Sequence, residues 1–410
     1  MLYNLGVYLY GTFIKIAATF NPKAKLWIDG RKDYWKSLPN VSKRNVIWFH
    51  CASLGEYDQG KPIIEKWKKN NPTDFILITF FSPSGYENIK NKSIGDYTCY
   101  IPLDTPQNAK RFIQHFKPSV TFFVKYEIWV NHLKQAKKSG SRLFLMSALF
   151  RENHRFFKWY GGNFRKVLHL FEHIFVQNEK SRKLLENIGY GSITLSGDTR
   201  FDRVYQRASE KNTNSFLDVW AKDKNAFVIG SSWTEDEAIL IPLINHSIIE
   251  APIIMAPHEI NKKNIDSITR QLQVSFQLYT DIEDGAELKS TTAVLILNCI
   301  GVLADAYRYG KYAYVGGGFR TGLHNILEPA AFGLPVIFGP KHDKFPEAQQ
   351  FIDAGIGRDI SNSTELIQSY EDFRNQPNIH QKVNRFIEKN VGATDEIIGY
   401  FSTTEQQSTD

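Results

Sequence analysis

Cysteine is scarce in this sequence, which has only Cys51, Cys99 and Cys299 among its 410 residues. Their odd number and wide spacing argue against a disulfide framework and against a zinc motif, and they indicate a reducing compartment. Heptad runs, low-complexity tracts and short repeats are also missing. Neither a coiled coil nor a repeat architecture is therefore expected.

Long apolar stretches are equally scarce, because only residues 1–20 form one. This stretch is borderline for spanning a bilayer, and Asn4, Thr12 and Lys15 argue against deep burial. It lacks the basic start and the cleavage site of a secretory signal, so we expect it in the mature protein. An interfacial or signal-anchor helix with a cytoplasmic basic flank is predicted, and a buried core helix is the alternative. The basic residues that follow are Lys23, Lys25, Arg31 and Lys32.

The overall composition is that of a soluble globular protein, with 42% apolar and 23% charged residues. The length indicates two or three domains. A net charge of +7 favours an anionic partner, such as a phosphorylated substrate or an acidic membrane surface. Nucleic acid is not expected as a partner, because no basic helix with interleaved readout residues is present.

Short strand-like runs alternate with helical periodicity from residue 46 onward, which predicts βαβ units and parallel sheets. After Pro106, for example, Ala109, Phe112, Ile113 and Phe116 recur at helical spacing. A polar patch at residues 207–215 separates two α/β halves and is predicted to be a linker. The predicted strands are 46–49, 75–81, 97–103, 120–124, 143–147, 173–177 and 193–196, then 227–231, 252–256, 275–279, 294–297, 312–315 and 336–338.

The stretch from Tyr312 to Pro340 is the clearest candidate for a ligand site. A short strand ends in glycines, which let a ligand approach the backbone, and a loop and a helix follow. The pattern predicts His324 and Asn325 near the helix N-terminus, where an anion is favoured. Glu328 is predicted on the same helical face as His324, where it could accept from ribose hydroxyls. A glycine-rich turn is often only a tight connection, so this motif alone is weak.

Two carboxylates follow strands of the first half, where ligands bind in open parallel sheets. Glu56 comes after the first predicted strand, and Glu127 comes after the fourth. A carboxylate within reach of a sugar hydroxyl can act as a general base. The alternative is that either residue only caps the following helix.

A series of short motifs follows one another along the chain. The motifs are His50-Cys-Ala-Ser-Leu-Gly-Glu56, Phe81-Ser-Pro-Ser-Gly-Tyr86, Leu103-Asp-Thr-Pro106, Tyr126-Glu-Ile-Trp129, Gln177-Asn-Glu179, Gly197-Asp-Thr-Arg-Phe-Asp202, Val315-Gly-Gly and His324-Asn-Ile-Leu-Glu328. Each motif is short, but the ordered set is specific. It resembles the Kdo transferases, which move 3-deoxy-D-manno-octulosonic acid (Kdo) from CMP-Kdo to a lipid A precursor.

The resemblance implies an α/β GT-B glycosyltransferase, with two Rossmann-like domains facing across a cleft and a membrane-associated N-terminal helix. Glu56 matches the proposed catalytic base of the family, and Glu127 matches a second acidic position needed for activity. No metal and no cofactor is implied, because CMP-Kdo is the donor substrate. The partners implied are CMP-Kdo, the lipid A precursor and the cytoplasmic side of the cell inner membrane. The positions that match the nucleotide site are Ser231, Ser232, His258, Gly316, Gly317, His324, Asn325 and Glu328.

Three positions on the nucleotide side depart from the family pattern, namely Trp233, Pro257 and Val302. Two other functions therefore stay open. One is a GT-B transferase that uses a UDP-sugar, and the other is a catalytically silent membrane-bound binding protein.

The predicted organisation is a membrane-anchoring helix at 1–22, an acceptor-binding domain at 23–206, a CMP-sugar-binding domain at 207–400 and a polar tail at 401–410. A final helix that crosses back to the first domain is known from GT-B enzymes, and it is noted here by analogy only.

Overall fold

The computed structural model describes residues 2–210, 214–221, 225–320 and 322–406. The chain forms two compact units. The first runs to Asp202 and resumes at Val391, and the second is Arg203–Asn390. The predicted linker at 207–215 is partly helical, because α9 extends to Ser209, and its residues 211–213 lie outside the described residues.

The first unit contains a seven-stranded sheet with the order β3-β2-β1-β4-β5-β6-β7. The strand pairs are parallel, as predicted. The strands are β1 Val46–Cys51, β2 Phe75–Phe80, β3 Tyr97–Tyr100, β4 Val120–Val124, β5 Arg142–Ala148, β6 His173–Val176 and β7 Ile193–Leu195. The helices are α1 Leu2–Ala17, α2 Pro22–Asp29, α3 Leu54–Asn70, α4 Pro83–Ile89, α5 Pro106–Phe116, α6 Val130–Lys138, α7 Gly162–Leu168, α8 Glu179–Glu186 and α9 Thr199–Ser209.

Both faces of this sheet are buried, as expected for a parallel sheet covered by helices. In β1, Trp48 belongs to the apolar cluster on one face, whereas Ile47 and Phe49 belong to the cluster on the other. Helix α5 begins at Pro106 and buries the four predicted apolar positions. The Thr105 side chain caps it by accepting from the backbone N–H of Asn108 at 3.2 Å.

The second unit contains another seven-stranded parallel sheet, with the order β10-β11-β9-β8-β12-β13-β14. The strands are β8 Ala226–Ser232, β9 Ile253–Pro257, β10 Phe276–Leu278, β11 Val294–Ile296, β12 Gly310–Val315, β13 Val336–Phe338 and β14 Gly357–Asp359. The helices are α10 Ser215–Ala221, α11 Thr234–Asn245, α12 Lys262–Gln271, α13 Tyr279–Glu283, α14 Leu303–Ala306, α15 Leu327–Ala331, α16 Pro346–Asp353, α17 Ser363–Arg374 and α18 Ile379–Asn390. Strand β14 was not predicted, because three residues with two charges carry no strand pattern.

The C-terminal helix, α19 Ala393–Gln406, belongs to the first unit. Its Ile397 and Phe401 are buried in the cluster that contains Phe122 and Phe144. The prediction that the second domain extends to residue 400, with a polar tail from 401, was therefore wrong. Aromatic packing against the first sheet holds the helix in that unit, and residues 407–410 of the predicted tail lie outside the described residues.

Helix α1 packs on the first unit through one face only. Val7 and Gly11 are buried, and the Tyr3 hydroxyl donates to Asp104 at 2.6 Å. Within the described ranges of the chain, no helix combines the length and the apolar content that crossing a lipid bilayer requires.

Candidate active site

The two candidate catalytic carboxylates follow strands that are neighbours in the first sheet. Strands β1 and β4 pair although they are not consecutive, so the strand order reverses between them. In open α/β sheets, ligands bind at the carboxyl ends of strands at such a reversal. The segments that follow these two strands carry Glu56 and Glu127 respectively.

Glu56 lies in the first turn of α3, where the helix dipole favours a negative charge. The Ser53 hydroxyl donates a hydrogen bond to its carboxylate. The Lys125 ammonium is 3.9 Å away, and the Glu56 side chain is only 13% exposed. The carboxylate is thus held in place by a hydroxyl donor and a cation, and its side chain remains partly exposed.

Glu127 lies close to Glu56 and Lys125, and its carboxyl group has a raised pKa. Burial, and next the negative charge of Glu56, raise its pKa from 4.5 to about 7, although Lys125 opposes the shift. Lys125 itself has a left-handed backbone with φ of 63°, a strained conformation that is concentrated at functional sites. Two carboxylates, of which Glu127 has a raised pKa, therefore lie near one cation just after β4.

His50, in the first motif, is a structural residue. It is fully buried, and Trp129 Nε1–H donates to its Nε2 at 2.9 Å. Because an indole can only donate, the His50 proton is on Nδ1 and is donated to the Thr79 hydroxyl at 2.9 Å. Burial lowers the pKa of His50 to about 3 and raises that of the neighbouring Cys51 thiol. This pair is inert in acid–base and thiol chemistry.

Asp104, in the Leu103-Asp-Thr-Pro106 motif, is fully buried and accepts several hydrogen bonds. Its carboxylate accepts from the backbone N–H groups of Asn131 at 3.0 Å and His132 at 2.9 Å, at the start of α6. It also accepts from the Tyr3 hydroxyl of α1. Asp104 therefore fixes α1 beside the segment that carries Glu127.

An apolar groove of about 1040 Å³ opens beside this segment in the first unit. Helix α1 forms one wall with Leu2, Gly6, Val7 and Tyr10. The opposite walls come from the segments after β4 and β5, which contribute Tyr126, Ile128, Trp129, Arg151, His154, Arg155 and Phe156 among others. The volume is at the upper end of the roughly 300–1,000 Å³ that is typical of ligand pockets.

In the second unit, the predicted nucleotide residues also follow strands at a reversal of strand order. Strands β8 and β12 pair although they are not consecutive. Asp236 of α11 ties their ends together, because it accepts from the backbone N–H of Trp233 at 2.8 Å and from that of Gly317 at 3.0 Å. A side chain at Gly316 would lie 2.3 Å from the Ser231 carbonyl oxygen, so this close approach requires glycine.

His258 and His324 come together around Trp233, a residue that the sequence flagged only as a departure. Trp233 stacks on His258 with ring centroids 4.1 Å apart. It donates from Nε1 to His324 Nε2 at 3.0 Å. The Arg320 guanidinium lies 4.4 Å from the Trp233 ring centroid. Two imidazoles and one cation thus surround a single indole.

The other predicted nucleotide residues are arranged differently. Ser232 is fully buried and donates to Glu237 at 3.1 Å, so its hydroxyl already has an acceptor within the protein, whereas Ser231 is half-buried. Asn325 donates to Glu328 at 3.1 Å. The prediction that His324 and Glu328 share a helical face was wrong, because α15 begins only at Leu327.

Three basic residues have distinct partners. Lys341 donates to the backbone carbonyls of Phe319 and Arg320 at 2.8 and 3.4 Å, and so holds the glycine-rich loop. Arg200, in the first unit, is bonded to Asp198 at 2.6 Å. Arg320 lies beside the stacked rings.

Comparison with known proteins bears on both units. Residues 29–203 match the family model of the 3-deoxy-D-manno-octulosonic-acid transferases, or kdotransferases. A 3-deoxy-D-manno-octulosonic acid transferase from Aquifex aeolicus is 28% identical over 81% of this chain and 86% of its own length. The chain is therefore similar to the Kdo transferases over most of its length. The matched range contains Glu56 and Glu127, and the alignment with the Aquifex protein extends the likeness beyond it.

Two further comparisons concern length and fold. A bifunctional glycosyltransferase/methyltransferase from Fusobacterium nucleatum is 23% identical over 95% of this chain, which spans only 61% of that protein. A solved UDP-GlcNAc 2-epimerase from Neisseria meningitidis, bound to UDP-GlcNAc, has a TM-score of 0.62 at 15% identity, covering 88% of this chain and 100% of its own. The chain therefore has an α/β GT-B-like fold.

Proposed function

We propose that this protein is an inverting glycosyltransferase that moves Kdo from CMP-Kdo to a lipid A precursor in lipopolysaccharide biosynthesis. Similarity to the Kdo transferases supports the sugar. The observation that carries the mechanism is the position of Glu56, which is held by Ser53 and Lys125 at a reversal of strand order. The same end of the sheet borders an apolar groove suited to a lipid.

In the proposed reaction, Glu56 accepts the proton of an acceptor hydroxyl. The hydroxyl oxygen then forms a bond to the anomeric carbon of Kdo, the bond from that carbon to the CMP phosphate breaks, and CMP leaves with the bonding electrons. Lys125 stabilises the ionised base before the transfer. Glu127 is proposed to bind the acceptor from the protein side, because a carboxyl group with a pKa of about 7 can either donate or accept a hydrogen bond near neutral pH.

The nucleotide is proposed to bind the second unit through the positions predicted from the sequence. The glycines after β12 permit a close packing of the loop that larger residues would prevent, and Arg320 supplies a positive charge over the Trp233 ring. A cation and neutral donors can stabilise the phosphate of the leaving CMP.

The apolar groove is proposed to hold acyl chains of the acceptor. Its walls are largely aliphatic and aromatic, and the exposed Arg151 and Arg155 contribute to its lining. A lipid that carries phosphate groups and fatty acids matches this combination of apolar walls and cationic residues.

Helix α1 is proposed to lie on the cytoplasmic face of the inner membrane. Its outward face carries a stripe of large apolar side chains that are exposed, including Phe13 at 67% and Ile16 at 57%. The nearby Lys23 and Lys25 are exposed and suit an anionic surface. Arg31 was predicted to contribute to this basic flank, but its guanidinium is enclosed 3.7 Å from the Trp27 ring centroid and donates to three backbone carbonyls.

The function is tested by supplying CMP-Kdo and a tetra-acylated lipid A precursor and resolving the products by mass. We expect one or more added Kdo masses, and a rate that falls roughly 10²–10⁴-fold in Glu56→Gln. Glu65→Gln, an exposed position on the same helix, is the control and should keep the rate.

Three outcomes would contradict parts of this proposal. Full activity in a folded Glu56→Gln protein would rule out the base assignment. Binding of UDP in preference to CMP would favour a UDP-sugar donor. Absence of turnover, with the lipid still bound, would favour a silent binding protein.

Membrane association is tested separately by flotation with vesicles that contain anionic phospholipid. We expect Phe13→Glu combined with Ile16→Glu to abolish flotation, because both charges would enter the apolar stripe. Ile300→Glu, at a position 89% exposed in the second unit, is the control. Equal flotation of all three proteins would rule out the membrane role of α1.

A further inference from the structure

Trp233 and His324 are joined edge to edge, which is an unusual arrangement for two rings in a predicted nucleotide site. Their planes differ by only 15°, and the 3.0 Å hydrogen bond runs from the indole Nε1 to the imidazole Nε2. His258 covers both rings, with centroids 4.1 Å from Trp233 and 4.6 Å from His324. The near-coplanar geometry directs the N–H at the lone pair of the imidazole nitrogen.

This bond determines where His324 carries its proton. An indole nitrogen donates and never accepts, so Nε2 of His324 must be the acceptor. A neutral His324 then has its proton on Nδ1. Burial, and next the charge of His258, lower the pKa of His324 to about 4, so the ring is neutral across the physiological range.

The position of the indole is itself held from several elements. Its backbone N–H donates to Asp236, which also accepts from the Tyr314 hydroxyl of β12 at 2.6 Å. The Arg320 guanidinium packs over the ring and lies 3.9 Å from Glu235. The charged or titratable groups around the Trp233–His324 pair are therefore His258 after β9, Glu235 and Asp236 of α11, and Arg320 after β12.

We propose that Trp233 is a positioning residue for the donor nucleotide. Its indole N–H fixes His324 as the Nδ1–H tautomer, so that His324 offers a neutral N–H donor to the nucleotide phosphate, and its ring packs against the Arg320 guanidinium. The inference rests on the proposed function, because it assumes that a nucleotide phosphate binds here. It assigns a role to a residue at which this chain departs from the family pattern.

The decisive substitution is Trp233→Phe, which removes the N–H and keeps an aromatic face for Arg320. Without its donor, Nε2 of His324 can carry the proton of the neutral ring, and Nδ1 then no longer donates. We expect CMP binding to weaken about tenfold at pH 8, which corresponds to the partial loss of one hydrogen bond to a charged group. Trp233→His, which retains a ring N–H, should recover most of the affinity.

Two controls separate this role from a general loss of packing. Trp220→Phe removes a buried indole from the core of the same unit and should leave CMP binding unchanged. Protein labelled with ¹⁵N-histidine, with the His324 signal assigned from His324→Gln, reports the tautomer directly. The wild type should show a neutral Nδ1–H ring from pH 5.5 to 8, and Trp233→Phe should show the Nε2–H tautomer in part.

The results distinguish this inference from the proposed function. If the wild type binds CMP, and Trp233→Phe binds it equally well, the inference fails and the proposed function stands. If Trp233→Phe does not fold, an Nε2–H tautomer in the wild type would overturn the inference by itself. If the wild type does not bind CMP, the proposed donor is wrong and the inference fails with it.

Discussion

The raised proton affinity of Glu127 predicts how the stability of the first unit depends on pH. A carboxyl group with a pKa of 4.5 when unfolded and about 7 when folded keeps its proton longer in the folded state. Stability therefore falls as the pH rises from 4.5 to 7 and then levels off. The shift corresponds to up to about 3 kcal/mol of destabilisation above pH 7.

The substitution Glu127→Gln removes this titration and keeps the size of the side chain. We expect its free energy of unfolding to equal that of the wild type below pH 4.5, and to exceed it by up to about 3 kcal/mol at pH 8.5. Urea unfolding at a series of pH values measures the difference. Lys125 lowers the pKa of Glu127. In a Lys125→Met background, Glu127→Gln should therefore change the free energy of unfolding at pH 8.5 by more than it does in the wild type.

Glu65→Gln, on the exposed side of α3, controls for the loss of one negative charge from the first unit. A pH-dependent gain in stability equal to that of Glu127→Gln would contradict the role of burial. A difference for Glu127→Gln that is constant with pH would refute the buried-carboxyl reasoning. A wild type that gains stability over the variant as the pH rises would mean that Lys125, and not burial, dominates.

Three other predictions concern the scaffold and the loop. Phe401→Ala should destabilise the first unit by about 3 kcal/mol in urea unfolding, because a buried aromatic ring is lost from the contact with Phe122 and Phe144. Asp104→Asn should lower the free energy of unfolding by about 1–3 kcal/mol, because it weakens the cap of α6 and the hydrogen bond from Tyr3. It should also increase the rate of proteolysis within α1, and an unchanged rate would contradict this. Gly317→Ala should weaken CMP binding in calorimetry, because its φ is 93° and a Cβ would lie 2.9 Å from the His324 ring.

Local patterns in the sequence were enough to predict most of the sheet strands and several helix starts. Runs of β-branched and aromatic residues correspond to β1 and β4, and the spacing after Pro106 predicts the buried face of α5, which the structure confirms. These features depend on neighbours within a few residues, so periodicity and capping determine them. The same ordering of strands and loops placed Glu56 and Glu127 after the correct strands.

Only the tertiary structure decided which of these residues act together. Lys125 reaches Glu56, and Trp233 donates to His324 across 91 positions of sequence, because β1 lies beside β4 and β8 lies beside β12. The enclosure of Arg31 and the packing of α19 on the first sheet have the same origin. Strand order is a property of the whole fold. It determines which distant side chains lie close enough to form hydrogen bonds or to shift each other's pKa.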